Sequence, residues 1–365
     1  MQILESALQV LRRLQENGFE SFLVGGCVRD LLLKRPVHDW DIATSARPEQ
    51  IAELFDHAIL TGARFGTVTV LWGEERFEVT TFRTDGSYLD GRRPEQVSFV
   101  RSLEADLARR DFTINAMAMD QNGQITDLFG GRADLCQRLI RCVGQPQMRF
   151  EEDGLRMLRA LRFSAQLGFS VERQTRAAIA ECAPLAQSLS AERVRDEVEK
   201  TICSTRPEKI QEFIRYGFLK RFGAETMETM PQTVPERMAR WAALLYAAPQ
   251  LDLKQLRLEK RLIQCCAVAV AACKAGRADL LELYAQWGEA CAKLTAELDG
   301  RSVEYETLRR AGKLLGLGNL AVRGSDLKWL SGREIGKMLK MLLRHVQENP
   351  QDNQRQILLD LARRE

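Results

Sequence analysis

Two aspartates, Asp39 and Asp41, flank Trp40 and follow a Gly25-Gly26 pair by thirteen residues. On an extended strand, residues i and i+2 point to one face. The two carboxylates can therefore hold one or two divalent ions side by side, with Trp40 packed behind them. Hard oxygen donors of this kind suit Mg²⁺, which keeps several waters and takes phosphate oxygens for the rest of its shell. The glycine turn can bring backbone N–H groups close to a triphosphate, with Arg29 as a charged partner. Glu78, in the run Phe77-Glu78-Val79-Thr80-Thr81-Phe82, is the candidate for a third catalytic carboxylate. A solvent-facing strand residue is the other reading of Glu78, and both stay open.

A second constellation lies in Glu152-Asp153-Gly154-Leu155-Arg156-Met157-Leu158-Arg159-Ala160-Leu161-Arg162-Phe163. Asp153 and Arg156 are three residues apart, so on one helix they share a face. A carboxylate beside a guanidinium presents acceptors next to donors. Cytosine and adenine each offer an amino group beside ring acceptors and match such a pair. Uracil and guanine would turn a carbonyl oxygen toward Asp153, and a mispaired buried site can reject a substrate by as much as ~10⁴-fold. The same spacing on an exposed helix is an ordinary ion pair. Arg159 and Arg162 continue near that face and suit triphosphate binding.

The elements that must position these groups are legible from hydrophobic period and turn residues. Up to about residue 145 the chain reads as α/β. Strands are expected at 22–25 and 40–44, helices at 28–34 and 48–55. Runs 66–72 and 76–83 form a hairpin around Gly73-Glu74-Glu75, and 117–120 and 124–128 form another around Gln121-Asn122-Gly123. The 76–83 strand should pair beside the aspartate strand. From Arg149 onward nearly everything reads as helix, punctuated by prolines at 184, 207, 231, 235 and 249. At 365 residues the prior is two or three domains.

Composition excludes some classes. An apolar content of 45% and a net charge of +3 are those of an ordinary soluble chain, so any nucleic-acid surface must be a local patch. The amphipathic start does not resemble a signal peptide. The apolar run 265–273 is far too short to span a membrane and is expected to be one buried helix. Nine cysteines without a CxxC pair are expected to be reduced, buried thiols of a cytoplasmic protein. The His-Asp pair in the chain, His38-Asp39, belongs to the aspartate motif itself, and His345 stands alone in its helix.

Five segments in order carry a family resemblance: Gly25-Gly26-Cys27-Val28-Arg29-Asp30, Asp39 to Ala46, Arg109-Arg110-Asp111-Phe112-Thr113-Ile114-Asn115-Ala116, Asp127-Leu128-Phe129-Gly130-Gly131, and Glu152 to Phe163. Together they resemble the class II CCA-adding tRNA nucleotidyltransferase and bacterial poly(A) polymerase family. Gly324-Ser325-Asp326-Leu327 with the helix 332–346 resembles the tail of the bacterial CCA enzymes.

The resemblance implies a polymerase-beta-like α/β head with a mixed sheet, followed by an elongated all-α neck, body and tail. The expected segments are a nucleotidyltransferase head at 1–145, a neck with the nucleotide-selecting helix at 146–205, a tRNA-binding body at 206–320 and a tRNA-binding tail at 321–365. It implies Mg²⁺ on Asp39 and Asp41, and nucleotide contacts from Gly25, Gly26, Arg29, Arg110, Asp111, Asp153, Arg156, Arg159 and Arg162. Asp111 and Asn115 would meet the ribose. The expected reaction is template-independent addition of C, C and A to the tRNA 3′ end from CTP and ATP, with release of pyrophosphate. An A-adding enzyme, a poly(A) polymerase and a catalytically inactive RNA-binding relative are the alternatives. The segment 84–94 resembles the family's flexible loop, which argues against a CC-only enzyme. Lys254, Arg257, Lys260 and Arg261, and the Lys328, Arg333, Lys337 and Lys340 series, are candidates for the acceptor stem.

Overall fold

Alternating apolar positions and well-placed turns build one mixed sheet in the first part of the chain. The computed structural model describes residues 3–85, 97–276 and 278–365. It divides into two units, one running to Thr201 with Thr205–Phe218, the other comprising Ile202–Ser204 and Leu219–Glu365. Most of the expected segment 84–94 lies outside the described residues.

In the first unit, α1 (Glu5–Glu16) leads into β1 (Ser21–Val24), α2 (Gly26–Leu32), β2 (Trp40–Thr44), α3 (Pro48–Leu54), β3 (Ala58–Ile59), β4 (Thr67–Trp72), β5 (Glu75–Thr81), β6 (Arg83–Asp85) and β7 (Val97–Phe99). There follow α4 (Leu103–Ala108), β8 (Met117–Met119) and β9 (Ile125–Asp127). Seven strands pair in the order β3-β4-β5-β2-β1-β8-β9. β2 and β5 run parallel, with Asp41 opposite Glu78, and β1 lies antiparallel on the other side of β2. Val24, Ala43, Phe82, Leu107 and Ala118 pack as one apolar cluster. Burial of each larger apolar side chain contributes about 1.5–3 kcal/mol.

The strand borders differ from the expected ones by a residue or two, for local reasons. Gly25 leaves β1 because its φ is +75°, a left-handed value that suits glycine. α2 starts two residues earlier than the spacing predicts, and it ends before Lys34, whose φ is +55°.

The chain continues with α5 (Gly131–Gln137), β10 (Leu139–Ile140), α6 (Pro146–Glu152), α7 (Leu155–Leu167), β11 (Ser170–Val171), α8 (Arg173–Cys182), α9 (Ala191–Ile202) and α10 (Ile210–Arg215). β10 pairs with β11, so the chain after residue 145 stays tied to the chain before it.

The second unit is helical: α11 (Arg237–Ala247), α12 (Lys260–Lys274), α13 (Leu280–Trp287), α14 (Glu289–Leu298), α15 (Ser302–Arg310), α16 (Gly332–Glu348) and α17 (Arg355–Arg364). Leu327, Leu342, Val346 and Leu358 form one core cluster, and Leu280, Ala292, Ala296 and Tyr305 another.

Three expectations need correction here. α12 is not buried all round: Leu262, Cys265, Cys266, Ala269 and Val270 face inward while Ala267 and Ala271 are exposed. Alanine is small enough that its exposure costs little. The nine cysteines are all free, but Cys136 is exposed and Cys203 and Cys273 are half-buried. His345 is not alone, because a turn at Pro350–Asp352 folds back on α16 and sets Asp352 Oδ2 2.8 Å from its Nε2. Among the described residues, no helix is long and apolar enough to cross a membrane.

Gly131 holds α5 against the turn that carries Asn115. A Cβ there would lie 2.3 Å from the Thr113 carbonyl oxygen and 2.9 Å from Met117 Cγ. Gly131→Ala is therefore expected to destabilise the protein by ~1–3 kcal/mol. Urea unfolding checks this; an unchanged midpoint would mean that the backbone of Thr113 yields freely.

Candidate active site

An open cleft of about 510 Å³ lies in the first unit. Asp39 and Asp41 enter it from the start of β2, while the Trp40 side chain between them is buried in the core. The i, i+2 geometry expected of a strand is thus met. On the neighbouring edge, Gly25 turns the chain from β1 into α2. A Cβ on Gly25 would lie 3.0 Å from Arg110 Nη1 and 3.8 Å from Asp41 Oδ2. The bare α-carbon therefore leaves room for an arginine and a carboxylate to approach one another.

The charge on Asp41 comes at a cost. Burial pushes the Asp41 carboxyl above its ordinary value; Arg110 opposes this, and the charges of Asp39 and Glu78 add to it. Clustered oxygen anions facing an open cleft are a donor set that fits a hard divalent cation. Glu78 lies opposite Asp41 on β5, on the same face of the sheet. Its Oε1 accepts hydrogen bonds from Thr69 Oγ1 at 2.9 Å and Arg76 Nη2 at 2.7 Å, and it does not line the cleft. Among the described residues, no three acidic, His or Cys side chains converge as a metal cluster. The structure thus places Glu78 beside the aspartates without gathering it between them, because the hydrogen bonds from its own hairpin hold it.

The arginines are held individually. Arg29 gives Nη1 to Asn115 Oδ1 at 2.8 Å and Nη2 to Asp30 Oδ2 at 2.8 Å. Arg159 reaches Asp111 Oδ2 at 2.6 Å, and Arg162 reaches Glu197 Oε2 at 2.5 Å. Arg29, Arg159 and Arg162 all lie over the ring of Phe163, at 5.2, 5.3 and 3.9 Å from its centroid. That arrangement is favoured by the negative face of the ring. Asp111 and Asn115, expected at the ribose, line the cleft and also bond each other at 3.2 Å.

Asp153 and Arg156 both line the cleft, but they do not share one helix face. Asp153 has extended backbone at the break between α6 and α7, with φ −149° and ψ 102°. Its Oδ1 accepts from the Leu155 N–H at 3.0 Å, and its Oδ2 accepts from Arg193 Nη2 at 2.7 Å. The carboxylate thus caps α7 in the way that a short acidic side chain satisfies a free helix N–H. Arg156, the second residue of α7, donates to Glu152 and to the carbonyls of Arg149 and Arg109. Gly154 fits this break closely, facing the backbone of Leu185 at 3.4 Å from where a Cβ would be.

The sequence reading missed Asp30, Asp106, Glu152, Arg193 and Glu197. The signal for Asp106 was present in its i, i+3 and i, i+4 spacing to Arg109 and Arg110. For Arg193 and Glu197, forty and thirty-five residues from their partners, no local pattern exists. The basic candidates 254, 257, 260, 261, 328, 333, 337 and 340 all lie on exposed positions of the second unit.

Comparison with known proteins adds to this geometry. Residues 21–141 match the family model of the poly(A) polymerase head domain, and residues 168–228 match that of a probable RNA- and SrmB-binding site of polymerase A. The chain is 37% identical to the CCA-adding enzyme of Enterococcus faecalis across 99% of its own length and 96% of that relative. It is 54% identical to the CCA-adding enzyme of Lactobacillus delbrueckii over 199 residues, which is 54% of this chain and spans half the length of that relative. The crystal structure of the Bacillus stearothermophilus CCA-adding enzyme in complex with CTP superposes with a TM-score of 0.82 at 33% identity, covering 95% of this chain and 93% of that one.

The buried ion pairs make an acid-stability prediction. Burial alone would raise the Asp111 carboxyl from 3.8, but the charge and hydrogen bonds of Arg159 outweigh it, and the group stands at about 2. Such a group contributes stability that is complete above about pH 4 and lost as the pH falls through 2. The expected contribution is ~2 kcal/mol. Asp111→Asn should therefore flatten the decline of the urea midpoint between pH 4 and 2; equal acid dependence in the two proteins would show that Asp111 and Arg159 do not pair in solution.

Proposed function

The chain belongs to the family of CCA-adding enzymes built on a poly(A) polymerase head, and on that premise we propose that it adds C, C and A in turn to the 3′ end of tRNA. CTP and ATP are the donors and pyrophosphate is released. The observation that carries this reading is the single cleft shared by the carboxylates of β2 and the Asp153–Arg156 pair at the head of α7. One end can handle a phosphate chain; the other can read a base.

In this reading the RNA 3′-hydroxyl attacks the α-phosphorus in line. Arg29, Arg110 and Arg159 bind the triphosphate, and Asp111 with Asn115 sits at the ribose. Asp153 accepts the amino group of cytosine or adenine while Arg156 donates to the neighbouring ring acceptor. Because both are already held by protein partners, the wrong base meets a fixed pattern and cannot reshape it. Asp39 and Asp41 would hold Mg²⁺, with Glu78 beside them. A divalent cation at that position supplies charge neutralisation at the phosphates and lowers the pKa of an attacking hydroxyl.

The division of labour follows the chain. Residues 1–145 form the catalytic head and 146–205 the base-reading neck. Residues 206–320 and 321–365 grip the RNA through the exposed Lys and Arg series. Such contacts bind the phosphate backbone, so affinity should fall steeply with salt. A cytoplasmic location is part of this proposal and is in keeping with a tRNA substrate.

Primer extension tests the reading. A tRNA ending at the discriminator base, given CTP and ATP with Mg²⁺, should gain three residues. Extension of a CC-ended tRNA alone, by one A, would make the protein an A-adding enzyme, long A tails would make it a poly(A) polymerase, and no extension would overturn the proposal. Asp39→Ala and Asp41→Ala should each abolish incorporation while leaving the thermal transition in place. Arg156→Ala should reduce the preference for CTP over UTP by about 10- to 100-fold; an unchanged preference in steady-state incorporation would remove Arg156 from base reading.

A further inference from the structure

Asp106 touches neither the open cleft nor solvent. It is 0% exposed, on α4, four residues before Arg110. A fully buried carboxylate is costly unless its charge is matched and its oxygens are hydrogen-bonded. Here both conditions are met by two successive arginines. Asp106 Oδ1 accepts from Arg109 Nε at 3.0 Å and Nη2 at 2.7 Å, and Oδ2 accepts from Arg110 Nη2 at 3.1 Å.

These two arginines reach different groups of the cleft lining. Arg110 Nη1 projects toward the point beside Gly25 that Asp41 Oδ2 also approaches. Its Nε is buried with no hydrogen-bond partner among the described residues, so the direction of the guanidinium depends on the Nη2 bond to Asp106. The backbone carbonyl of Arg109 accepts from Arg156 Nη2 at 3.0 Å. One carboxylate therefore anchors both a side chain beside Asp41 and the segment that buttresses the base-reading arginine.

We propose that Asp106 is a positioning residue for nucleotide transfer: it fixes the Arg110 guanidinium against the Asp41 edge and, through Arg109, steadies Arg156. It acts through these arginines and does not meet the nucleotide. The inference rests on the reading of the cleft as the nucleotide site. A helix residue buried solely for stability would have no reason to carry a charge, since an apolar side chain of similar size satisfies the same packing.

A double-mutant cycle tests this, read in kcat/KM for CTP on a tRNA ending at the discriminator base and, without RNA, in CTP affinity by calorimetry. Asp106→Asn keeps the shape and removes the charge; it should lower kcat/KM about 10- to 100-fold, the range of a lost charge-assisted hydrogen bond. In an Arg110→Gln background the same change should cost clearly less than in the wild type, because the Arg110 target is gone and only the route through Arg109 is left. Losses that multiply in full would assign Asp106 a general structural role and overturn the proposal, as would wild-type kinetics in Asp106→Asn. If Asp106→Asn does not fold, Asp106→Glu replaces it in the cycle, since it keeps the charge but displaces Arg110 by a methylene; failure of both to fold assigns the residue to folding and also overturns the proposal. A wild-type protein that binds CTP but adds nothing to tRNA would instead refute the tRNA reading, and the calorimetric cycle would still decide the role of Asp106.

Discussion

Arginines crowd a small cleft, and like charges at such distances repel unless something neutralises them. In this protein carboxylates neutralise them: Asp30 for Arg29, Asp106 for both Arg109 and Arg110, Glu152 for Arg156, Asp111 for Arg159 and Glu197 for Arg162. Such pairs are weak sources of stability when buried, because desolvation offsets the attraction. Their consequence is geometric. Each guanidinium is held in one direction before any ligand arrives, and side chains that are already ordered lose little freedom on binding.

That constraint explains the surrounding architecture. The carboxylate partners come from α2, α4, the turn after α4, the end of α6 and α9, so the cleft exists only when these elements are packed together. The sheet supplies the fixed reference. β1 and β2 lie side by side, which puts the Gly25 turn next to Asp41, and β5 runs parallel to β2 on its other edge. Phe163 serves the same end from within α7, giving three arginines one apolar surface to lie over. The second unit contributes a separate helical core; in the proposed function its exposed basic side chains would meet a different requirement, grip on a polyanion rather than selection of a base.

The break between α6 and α7 shows how a local rule and a functional demand can coincide. A carboxylate at a helix start satisfies a free N–H, and Asp153 does so through one oxygen while Arg193 holds the other. The residue that ends one helix and caps the next is thereby fixed on both sides. A helix running straight through this point would have placed Asp153 and Arg156 on one face, but with the carboxylate free to rotate.

The positions of β1, β2, β4, β5, β8, β9, α2 and α3 were written in the sequence because short-range rules govern them: period-two alternation, glycine at left-handed turns and hairpin spacing; the short β3, β7 and β10 and the helix α5 were not read from it. The aspartate pair on one face of β2 follows from the same period, and the ordered motifs carry the family. Asp106 was within reach of those rules, since it lies on the same helical turn as Arg109 and Arg110. The partners of Asp153 and Arg162 were not, because Arg193 and Glu197 reach them from α9 by tertiary packing, and an ion pair between distant segments leaves no periodic trace in either. The placement of Glu78 beside the cleft was decided by the hydrogen bonds that Thr69 and Arg76 of its own hairpin give it. The helix break at Asp153 also needed the fold, since whether Asp and Arg at i, i+3 sit on one helix or across a cap depends on what packs behind Gly154. Sequence thus determined which chemical groups lie near which elements; tertiary structure decided which of them face each other, because charge pairing acts through space and not along the chain.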